Sequence, residues 1–191
     1  MYLLFLFVTL LLLALLLYMW GRIIEYIYCV VWKRQVPFVA CSFRHKRAIV
    51  AQIKQFYPNA KSVVEVGSGD GALARYVARH TKARVYALEN MPFCIFLSRI
   101  GDFFCFAKSK TVWCDAFEYL DKTDKKFDIA VAYLGPKLTP KLKKYNKKIK
   151  VLITMNFEIP DLTPVRTVNL KHGSVTYNGV KYPHKLFVYE L

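Results

Sequence analysis

The order of hydrophobic and polar positions divides the chain into an apolar N-terminal segment and a longer region of short alternating elements. Residues 2–20 include no charged side chain and consist mostly of Leu and Phe. Nineteen helical residues rise roughly 28 Å, about the thickness of a bilayer's hydrocarbon core. We expect a membrane-spanning helix that continues to about Trp32 and ends before Pro37. A cleaved signal peptide is the alternative, but it would need basic residues before the apolar run.

After this segment the pattern changes between helical and strand periods. Ser42 is placed to cap a helix that runs to about Phe56. Short apolar runs predict strands at residues 62–66, 84–88, 111–114, 127–132 and 150–155. Helices are expected at residues 70–80, 92–107 and 137–145. Strands that alternate with helices predict an α/β fold with a parallel sheet and helices on both faces.

The C-terminal part follows a different pattern. Residues 165–170 and 185–190 show no helical period, and the Asn178-Gly179 pair between them is a strong hairpin signal. We therefore expect two final strands that pair antiparallel at the sheet edge. The predicted organisation is a membrane anchor with a juxtamembrane helix in residues 1–32, a basic linker and helix in 33–60, and one domain in 61–191.

The charge distribution predicts on which side of the membrane the domain lies. The chain has a formal net charge of +16, and six Lys or Arg residues between Arg22 and Arg47 face a single acid, Glu25. Because basic flanks stay inside, we expect a single-pass protein whose domain is cytoplasmic, in the inner membrane if the organism is bacterial. Such a charge favours acidic partners, and anionic lipid headgroups are the simplest of them.

The lysine-rich segment 137–150 strengthens that expectation. It contains seven lysines and no acid, and each cation near an anionic membrane surface contributes about 1 kcal/mol. Nucleic acid is less favoured as a partner, because no aromatic stacking motif interleaves these lysines. The five cysteines show no paired spacing and the four histidines are scattered, so we expect reduced thiols and no metal site.

A glycine-rich stretch carries the candidate chemistry. Residues 63–78 read VVEVGSGDGALARYVA, with Gly67, Gly69 and Gly71 between an apolar strand and a helix. A strand, a bare turn and a helix start are typical of nucleotide-type sites, because the backbone can approach a ligand closely. The spacing also fits a degenerate dinucleotide fingerprint that ends at Ala72. The glycines alone therefore leave NAD and other adenosine ligands open.

Two observations argue against NAD. Glu65 ends the strand before the loop, where a carboxylate would repel a pyrophosphate and favour an ammonium or sulfonium group. About 120 residues follow the loop, and they are used up in completing one sheet. S-adenosylmethionine has both cationic groups and no phosphate. Glu89, at the end of the second strand, is a candidate acceptor for ribose hydroxyls, and Asp115, after the third strand, for the adenine amino group.

The motifs occur in an order that resembles the class I, seven-stranded S-adenosylmethionine-dependent methyltransferases. The resemblance rests on the glycine loop, VYALEN, the Asp115-Ala116 pair and FDIAVAYLGP, and it covers about residues 61–191. It implies a Rossmann-like sheet with an antiparallel C-terminal hairpin and S-adenosylmethionine as cofactor. The expected cofactor-binding residues are Glu65, Gly67, Ser68, Gly69, Asp70, Gly71, Glu89, Asn90, Asp115 and Ala116.

In this fold the acceptor substrate lies after the fourth strand, which here is followed by Tyr133, Leu134, Gly135 and Pro136. We expect these residues to contact the acceptor and Tyr133 to orient its nucleophile. They do not match the Asn/Asp-Pro-Pro-Tyr/Phe signature of amino-methylating nucleic-acid enzymes. The sequence does not identify a general base.

A narrower resemblance concerns the acceptor. An N-terminal membrane segment, VPFVA, a helix, the GSGDG loop, NFEIP and KLFVYEL resemble the membrane-anchored protein-lysine methyltransferases of the ATP synthase c-subunit and the adenine nucleotide translocase. Glu65 replaces the Asp expected there, and the lysine-rich segment is not typical of that family. The resemblance implies methylation of a lysine in a membrane protein. Two alternatives stay open: an enzyme that methylates a lipid amine or a hydrophobic small molecule, and a non-catalytic, membrane-tethered assembly module.

Overall fold

The computed structural model describes residues 1–33, 38–106, 108–177 and 179–191. It divides the chain into two compact units, Met1–Val39 and Ala40–Leu191. Four parts of the sequence interpretation lie outside the described residues: the helix stop at Pro37, the first two residues of VPFVA, the end of the predicted helix at Ala107, and Asn178 of the proposed hairpin turn.

The first unit is built on one long helix. Helix α1, Tyr2–Ile27, continues as a π-helical segment over Tyr28–Lys33. Near its end Arg22 forms an ion pair with the buried Glu25, and the Arg22 guanidinium lies 5.0 Å from the centre of the Phe38 ring. By length and composition α1 is sufficient to cross a membrane, and its apolar side chains are exposed within the unit.

The second unit is an α/β domain. Its strands are β1 Ser62–Val66, β2 Arg84–Glu89, β3 Ser109–Trp113, β4 Phe127–Ala132, β5 Ile149–Met155, β6 Arg166–Tyr177 and β7 Val180–Glu190. Its α-helices are α2 Phe43–Phe56, α3 Ala72–His80, α4 Pro92–Cys105 and α5 Ala116–Lys122, and a 3-10 helix spans Thr139–Tyr145.

Within the described residues the strands form one seven-stranded sheet in the order β3-β2-β1-β4-β5-β7-β6. Strands β1 to β5 are parallel, and β7 lies antiparallel between β5 and β6. Val66 at the end of β1 pairs with both Leu88 and Ala132, so the carboxyl ends of β1, β2 and β4 lie side by side. This is the crevice where open α/β sheets bind ligands.

Strand alternation creates two apolar cores, one on each face of the sheet. Val63 packs with Ile49 of α2 and Leu73 of α3, whereas Val64 packs on the opposite face with Leu120 and Leu142. Successive strand side chains point to opposite faces, so a strand that is apolar at every position can serve both cores. The predicted α/β sheet with antiparallel C-terminal strands is confirmed.

Two local predictions need correction. The helix expected over residues 137–145 is a shorter 3-10 helix, because Pro140 restricts the preceding residue and lacks an N–H. Leu142 and Tyr145 are its buried contacts, and their spacing of three matches the 3-10 period. Helix α5 was not predicted, since its seven residues are too few to show a clear period.

The lysines of segment 137–150 are largely engaged within the domain. Lys144 pairs with Asp121 at 2.9 Å, and the Lys148 ammonium donates to the Leu120 carbonyl at 2.7 Å. Lys143 and Lys150 also have acidic partners. Four of the seven cations therefore have a partner within the domain, and three of these contacts are surface ion pairs.

Asp128 at the start of β4 gives a first testable prediction. Its carboxylate accepts hydrogen bonds from Lys61 N and Ser62 N at 2.8 and 3.1 Å, and Lys150 Nζ lies 2.7 Å away. The Lys150 contact and the two amides lower the pKa of Asp128 to about 2. Asp128→Ala should reduce the free energy of unfolding by about 1–2 kcal/mol at neutral pH.

The pH dependence of that loss follows from the direction of the shift. The stabilisation is fully present above the unfolded-state pKa of about 4 and disappears as the pH falls towards the folded-state value. Urea unfolding in detergent from neutral pH to pH 2 measures it, with the exposed Asp124→Ala as the matched control. A wild-type-minus-variant difference that does not shrink below pH 4 would contradict the assignment.

Candidate functional site

The glycine loop between β1 and α3 is closely packed on both sides. Gly67, Gly69 and Gly71 have φ values of 72°, 54° and 71°, in the left-handed region that favours glycine. A Cβ atom at Gly71 would lie 2.2 Å from Ser98 Oγ, and one at Gly67 would lie 2.9 Å from Leu134 Cδ2. Both the backbone conformation and the space therefore require glycine at these two positions.

Most backbone amides of this loop already have acceptors. Gly67 N–H and Ser68 N–H donate to the Leu88 carbonyl at 3.0 and 2.9 Å. Ala72 N–H, at the start of α3, donates to Asp70 Oδ1 at 3.0 Å. A phosphate would meet a carboxylate at the helix start instead of free amides, so the loop does not have the character of an anion site.

Glu65 points into this loop from the end of β1. The Ala74 N–H donates to its carboxylate, whereas Oε2 is buried without a hydrogen-bond partner among the described residues. Burial, followed by the negative charges of Asp70 and Glu89, raises the pKa of Glu65 well above its usual range. In the same part of the chain Ser68 Oγ is also buried and unpartnered. Such atoms are costly unless a ligand satisfies them.

Glu89 connects strand β2 to the loop. Its Oε2 accepts from Gly69 N–H at 2.7 Å, and Oε1 accepts from Asn90 N–H and Met91 N–H at 2.8 and 2.9 Å. The side chain is 7% exposed. Glu89 therefore holds the loop in place in addition to the ribose contact that the sequence predicts for it.

Asp115 has a structural role that the sequence analysis did not assign. Its Oδ1 accepts from Phe117 N–H and Glu118 N–H at 2.9 and 3.0 Å, which caps α5. Ala116 is the first residue of that helix and is half-buried. Because the cap uses Oδ1, the other carboxylate oxygen, Oδ2, would accept the expected hydrogen bond from an adenine amino group.

The four acceptor-side candidates follow β4 and are all half-buried, namely Tyr133, Leu134, Gly135 and Pro136. The side-chain amide of Asn156, which follows β5, donates to Tyr133 Oη at 3.2 Å. The His45 ring stacks against the Tyr133 ring with 5.8 Å between centres. Tyr133 is thus held by two residues that the sequence analysis did not single out.

Asn156 is the centre of this polar cluster. Its Oδ1 lies 3.4 Å from His45 Nε2 and 3.2 Å from His184 Nδ1, and it accepts from Lys185 N–H at 3.3 Å. Its φ of 66° is left-handed, a conformation that Asn tolerates better than most residues. We call Ser42, His45, Tyr133, Asn156 and His184 the polar network; the Ser42 hydroxyl lies 2.7 Å from His45 Nδ1.

The polar network is uncharged at Tyr133 and His45 near neutral pH. Burial lowers the pKa of His45, partly opposed by its contact with Asn156, and burial raises the pKa of Tyr133. Burial, followed by the charge of Glu65, raises the pKa of Cys41 to about 12, so this thiol is protonated. Cys41 also contributes to the shift at Tyr133.

The sequence alone does not single out His45, Asn156 and His184 as members of a site. Their contacts join residues 111 and 28 positions apart, and no local period encodes such a contact. Of the three, Asn156 is the residue whose role could most readily have been predicted, because it directly follows a buried strand. Among the described residues, no group of three or more His, Cys, Asp or Glu side chains is placed to hold a metal ion.

Solved structures with the same architecture include several methyltransferases. An RNA methyltransferase from Salinibacter ruber in complex with S-adenosyl-L-homocysteine has a TM-score of 0.62 at 17% identity, covering 80% of this chain and 93% of that one. An O-methyltransferase from Bacillus cereus, also with that ligand, has a TM-score of 0.61 at 11% identity, covering 90% of this chain and 98% of that one.

The chain has the class I methyltransferase fold. No protein-family model matches it. Among curated proteins, thermospermine synthase ACAULIS5 of Arabidopsis thaliana is 34% identical over 99 residues, which cover 49% of this chain. The match spans only 29% of the length of that relative. These comparisons establish the fold and leave the cofactor and the acceptor to the argument from the site.

Proposed function

We propose that this protein is an S-adenosylmethionine-dependent methyltransferase. The observation that carries the proposal is the buried, unpartnered Oε2 of Glu65 beside a glycine loop most of whose amides are already bonded. Three carboxylates, those of Glu65, Asp70 and Glu89, influence one another there. A ligand with an ammonium and a sulfonium group satisfies them, and the same fold holds S-adenosyl-L-homocysteine in the two solved structures described above.

The residues present fit this cofactor. Glu65 and Ser68 would accept and donate at its amino-acid end, Glu89 and Asn90 would hold the ribose, and Asp115 with Ala116 would border the adenine. When bound, S-adenosylmethionine supplies a methyl group on a sulfonium, which is a good leaving group. The chain then has to exclude water and hold a nucleophile in line with that methyl group.

Calorimetry with S-adenosylhomocysteine, S-adenosylmethionine and NAD tests the proposal on the full chain in detergent. We expect micromolar binding of the first two and no detectable binding of NAD. Micromolar NAD binding in the absence of any binding of the other two ligands would overturn it.

For the acceptor, we infer a lysine of a membrane protein. The polar network supports this, because its neutral hydroxyl, amide and imidazole groups suit a deprotonated amine better than a charged group. Helix α1 and the basic residues around 22–47 support tethering to an anionic membrane, with the domain on the cytoplasmic side. Tethering raises the effective concentration of any acceptor in the same bilayer. Lysine itself has a pKa of about 10.4, which an apolar pocket lowers.

Intact-protein mass spectrometry of membranes incubated with and without the enzyme tests the acceptor. We expect one membrane protein to gain one or more methyl groups, and a chain lacking residues 1–32 to bind cofactor normally but to methylate membranes poorly. A labelled lipid or quinone fraction without a labelled protein would replace the lysine proposal with the small-molecule alternative.

A second candidate is transfer of an aminopropyl group to a polyamine, which the likeness to thermospermine synthase favours. Incubation with spermidine and either S-adenosylmethionine or its decarboxylated form separates the two reactions. An elongated polyamine formed only with the decarboxylated donor would establish this second function in place of methyl transfer.

Tyr133→Phe tests the role of the polar network. The Asn156 amide fixes the Tyr133 hydroxyl, so removing that hydroxyl should lower the methyl-transfer rate about three- to tenfold, the value of one neutral hydrogen bond. The dissociation constant for S-adenosylhomocysteine should not change. Tyr119→Phe, on the half-buried face of α5, is the matched control. Equal rates for both variants and the wild type would exclude Tyr133 from the acceptor site.

A further inference from the structure

Helix α4 and strand β3 present a large exposed apolar surface. Phe103 and Phe104 are 74% and 73% exposed, and Trp113 at the end of β3 is 60% exposed. We call the set the aromatic face; its members are Phe96, Ile100, Phe103, Phe104, Phe106 and Trp113, all of which are exposed. Monomeric soluble proteins rarely expose large apolar patches, and a segment with this many exposed aromatic side chains is a candidate binding surface.

The orientation of α4 is the reverse of that of an ordinary surface helix. Its apolar residues at positions 96, 100, 103 and 104 share one face by helical spacing, and that face is exposed. The opposite face docks through polar groups: Ser98 Oγ lies 2.8 Å from Thr111 Oγ1, and Asp102 accepts from Ser109 Oγ at 2.9 Å. The helix is held to the domain by these polar contacts together with the buried Cys94 and Ile95, and it leaves its aromatic stripe outward.

The docked side of α4 is tightly packed around Gly101. A Cβ atom at Gly101 would lie 2.5 Å from the guanidinium carbon of Arg75. Arg75 in turn donates to the Ser98 carbonyl at 3.1 Å and lies 3.6 Å from the Asp102 carboxylate. A large side chain does not fit beside Arg75 at this turn of α4, so the aromatic residues of the turn, Phe103 and Phe104, are exposed.

The charges around the aromatic face identify what covers it. Two exposed cations of the segment from α4 to the end of β3 lie next to the aromatic residues along the chain, Arg99 and Lys108. Lys110 points to the opposite face of β3, because its neighbour Thr111 contacts α4. The one acid of that segment, Asp102, is engaged on the docked side. Exposed aromatic side chains accompanied by cations and by no free acid are typical of surfaces that enter the headgroup layer of anionic bilayers. A second copy of the same face would bring like charges together, which disfavours a symmetric dimer.

The aromatic face also reaches the candidate site. Trp113 Nε1–H donates to the Asn90 carbonyl at 3.2 Å, and Asn90 directly follows Glu89. We propose that the aromatic face inserts into the headgroup layer of an anionic bilayer and so turns the cofactor edge of the sheet towards the membrane surface. The proposed membrane contact is inferred from the aromatic face alone. A role of this contact in selecting membrane acceptors rests on the proposed function.

Tryptophan fluorescence in vesicles tests this contact on the full chain. The chain has three tryptophans, so Trp20→Phe with Trp32→Phe leaves Trp113 as the reporter. In phosphatidylcholine–phosphatidylglycerol vesicles, brominated acyl chains should reduce Trp113 emission about twofold or more relative to unbrominated lipid. Adding Phe103→Ser and Phe104→Ser, or omitting phosphatidylglycerol, should reduce that quenching.

Two matched single-tryptophan proteins control the experiment. One keeps only Trp20, which reports on α1. The other carries Val165→Trp with all three native tryptophans replaced by Phe; Val165 is exposed and precedes β6, at the sheet edge opposite β3. We expect the Trp20 protein to be quenched and the Val165→Trp protein to be unaffected.

The outcomes separate this inference from the rest of the proposed function. Quenching of Trp20 without quenching of Trp113 would overturn insertion of the aromatic face while membrane anchoring stands. Equal quenching of Trp113 and of tryptophan at position 165 would also overturn it. Protection of Trp113 from both brominated lipid and aqueous iodide, together with a cross-linked dimer, would assign the aromatic face to a second copy. None of these readouts depends on methyl transfer.

Discussion

Glu65→Gln should stabilise the ligand-free protein and at the same time weaken its affinity for S-adenosylhomocysteine by at least about tenfold. The buried Glu65 carboxylate has one unpartnered oxygen and two acidic neighbours. Replacing a charge in that position by a neutral amide should raise the free energy of unfolding by about 1–2 kcal/mol. The ligand's ammonium group loses its ionic partner, so affinity falls while stability rises.

The two effects have opposite pH dependence. Because the folded state raises the pKa of Glu65, the favourable contribution of its protonated form is complete below the unfolded-state pKa of about 4.3. That contribution is lost as the pH rises through the folded-state pKa. Wild-type stability should therefore decline over this window, while affinity for the cationic ligand increases. The Gln variant should show neither slope.

Thermal melts and calorimetry across that pH window measure both quantities. Asp124→Asn, at an exposed position, is the control for the loss of one negative charge. A lower melting temperature with an unchanged dissociation constant would assign Glu65 to the Ala74 hydrogen bond alone and remove it from the cofactor site.

Glu89→Ala is the second substitution with a large expected effect. It removes the acceptor of three backbone N–H groups, those of Gly69, Asn90 and Met91. Leaving buried donors unsatisfied costs about 1–3 kcal/mol, so the melting temperature should fall. The loss of the charge-assisted bonds to ribose hydroxyls should also reduce cofactor affinity at least about tenfold.

Glu89→Gln separates the two roles, because its one carbonyl oxygen can still accept from part of this set. We expect a melting temperature between those of the wild type and Glu89→Ala, with an affinity close to that of the Ala variant. Glu118→Ala, at an exposed position on α5, is the control. A lowered melting temperature with an unchanged dissociation constant would leave Glu89 with only its role in holding the loop.

The sequence by itself determined the sheet and the position of the glycine loop. Strands Ser62–Val66 and Phe127–Ala132 were predicted to the residue, because β-branched runs buried on both faces have a signature that does not depend on their neighbours. The sequence also predicted the tight loop at Gly67 and Gly71. A left-handed backbone beside packed neighbours excludes other residues there. Local conformational preference and uniform burial decide these features.

Only the tertiary structure decided which distant residues form hydrogen bonds with the polar side chains of the site. The sequence placed Glu89 at a strand end. The hydrogen bond that its carboxylate accepts from Gly69 N–H forms only because β1 and β2 are neighbours in the sheet. Asn156 gains its contacts from α2, β4 and β7 together. Hydrogen bonds between distant segments have no period along the chain, so these roles became visible only in the folded domain.

Helix α4 shows the same limit for apolar residues. Its sequence shows that the aromatic positions share one helical face, which ordinarily predicts a face turned to the core. The fold turns that face outward, because Ser98, Gly101 and Asp102 make the closer contacts with Arg75 and β3. Periodicity identifies which residues lie together, whereas the packing of neighbouring elements decides whether protein or another medium covers them.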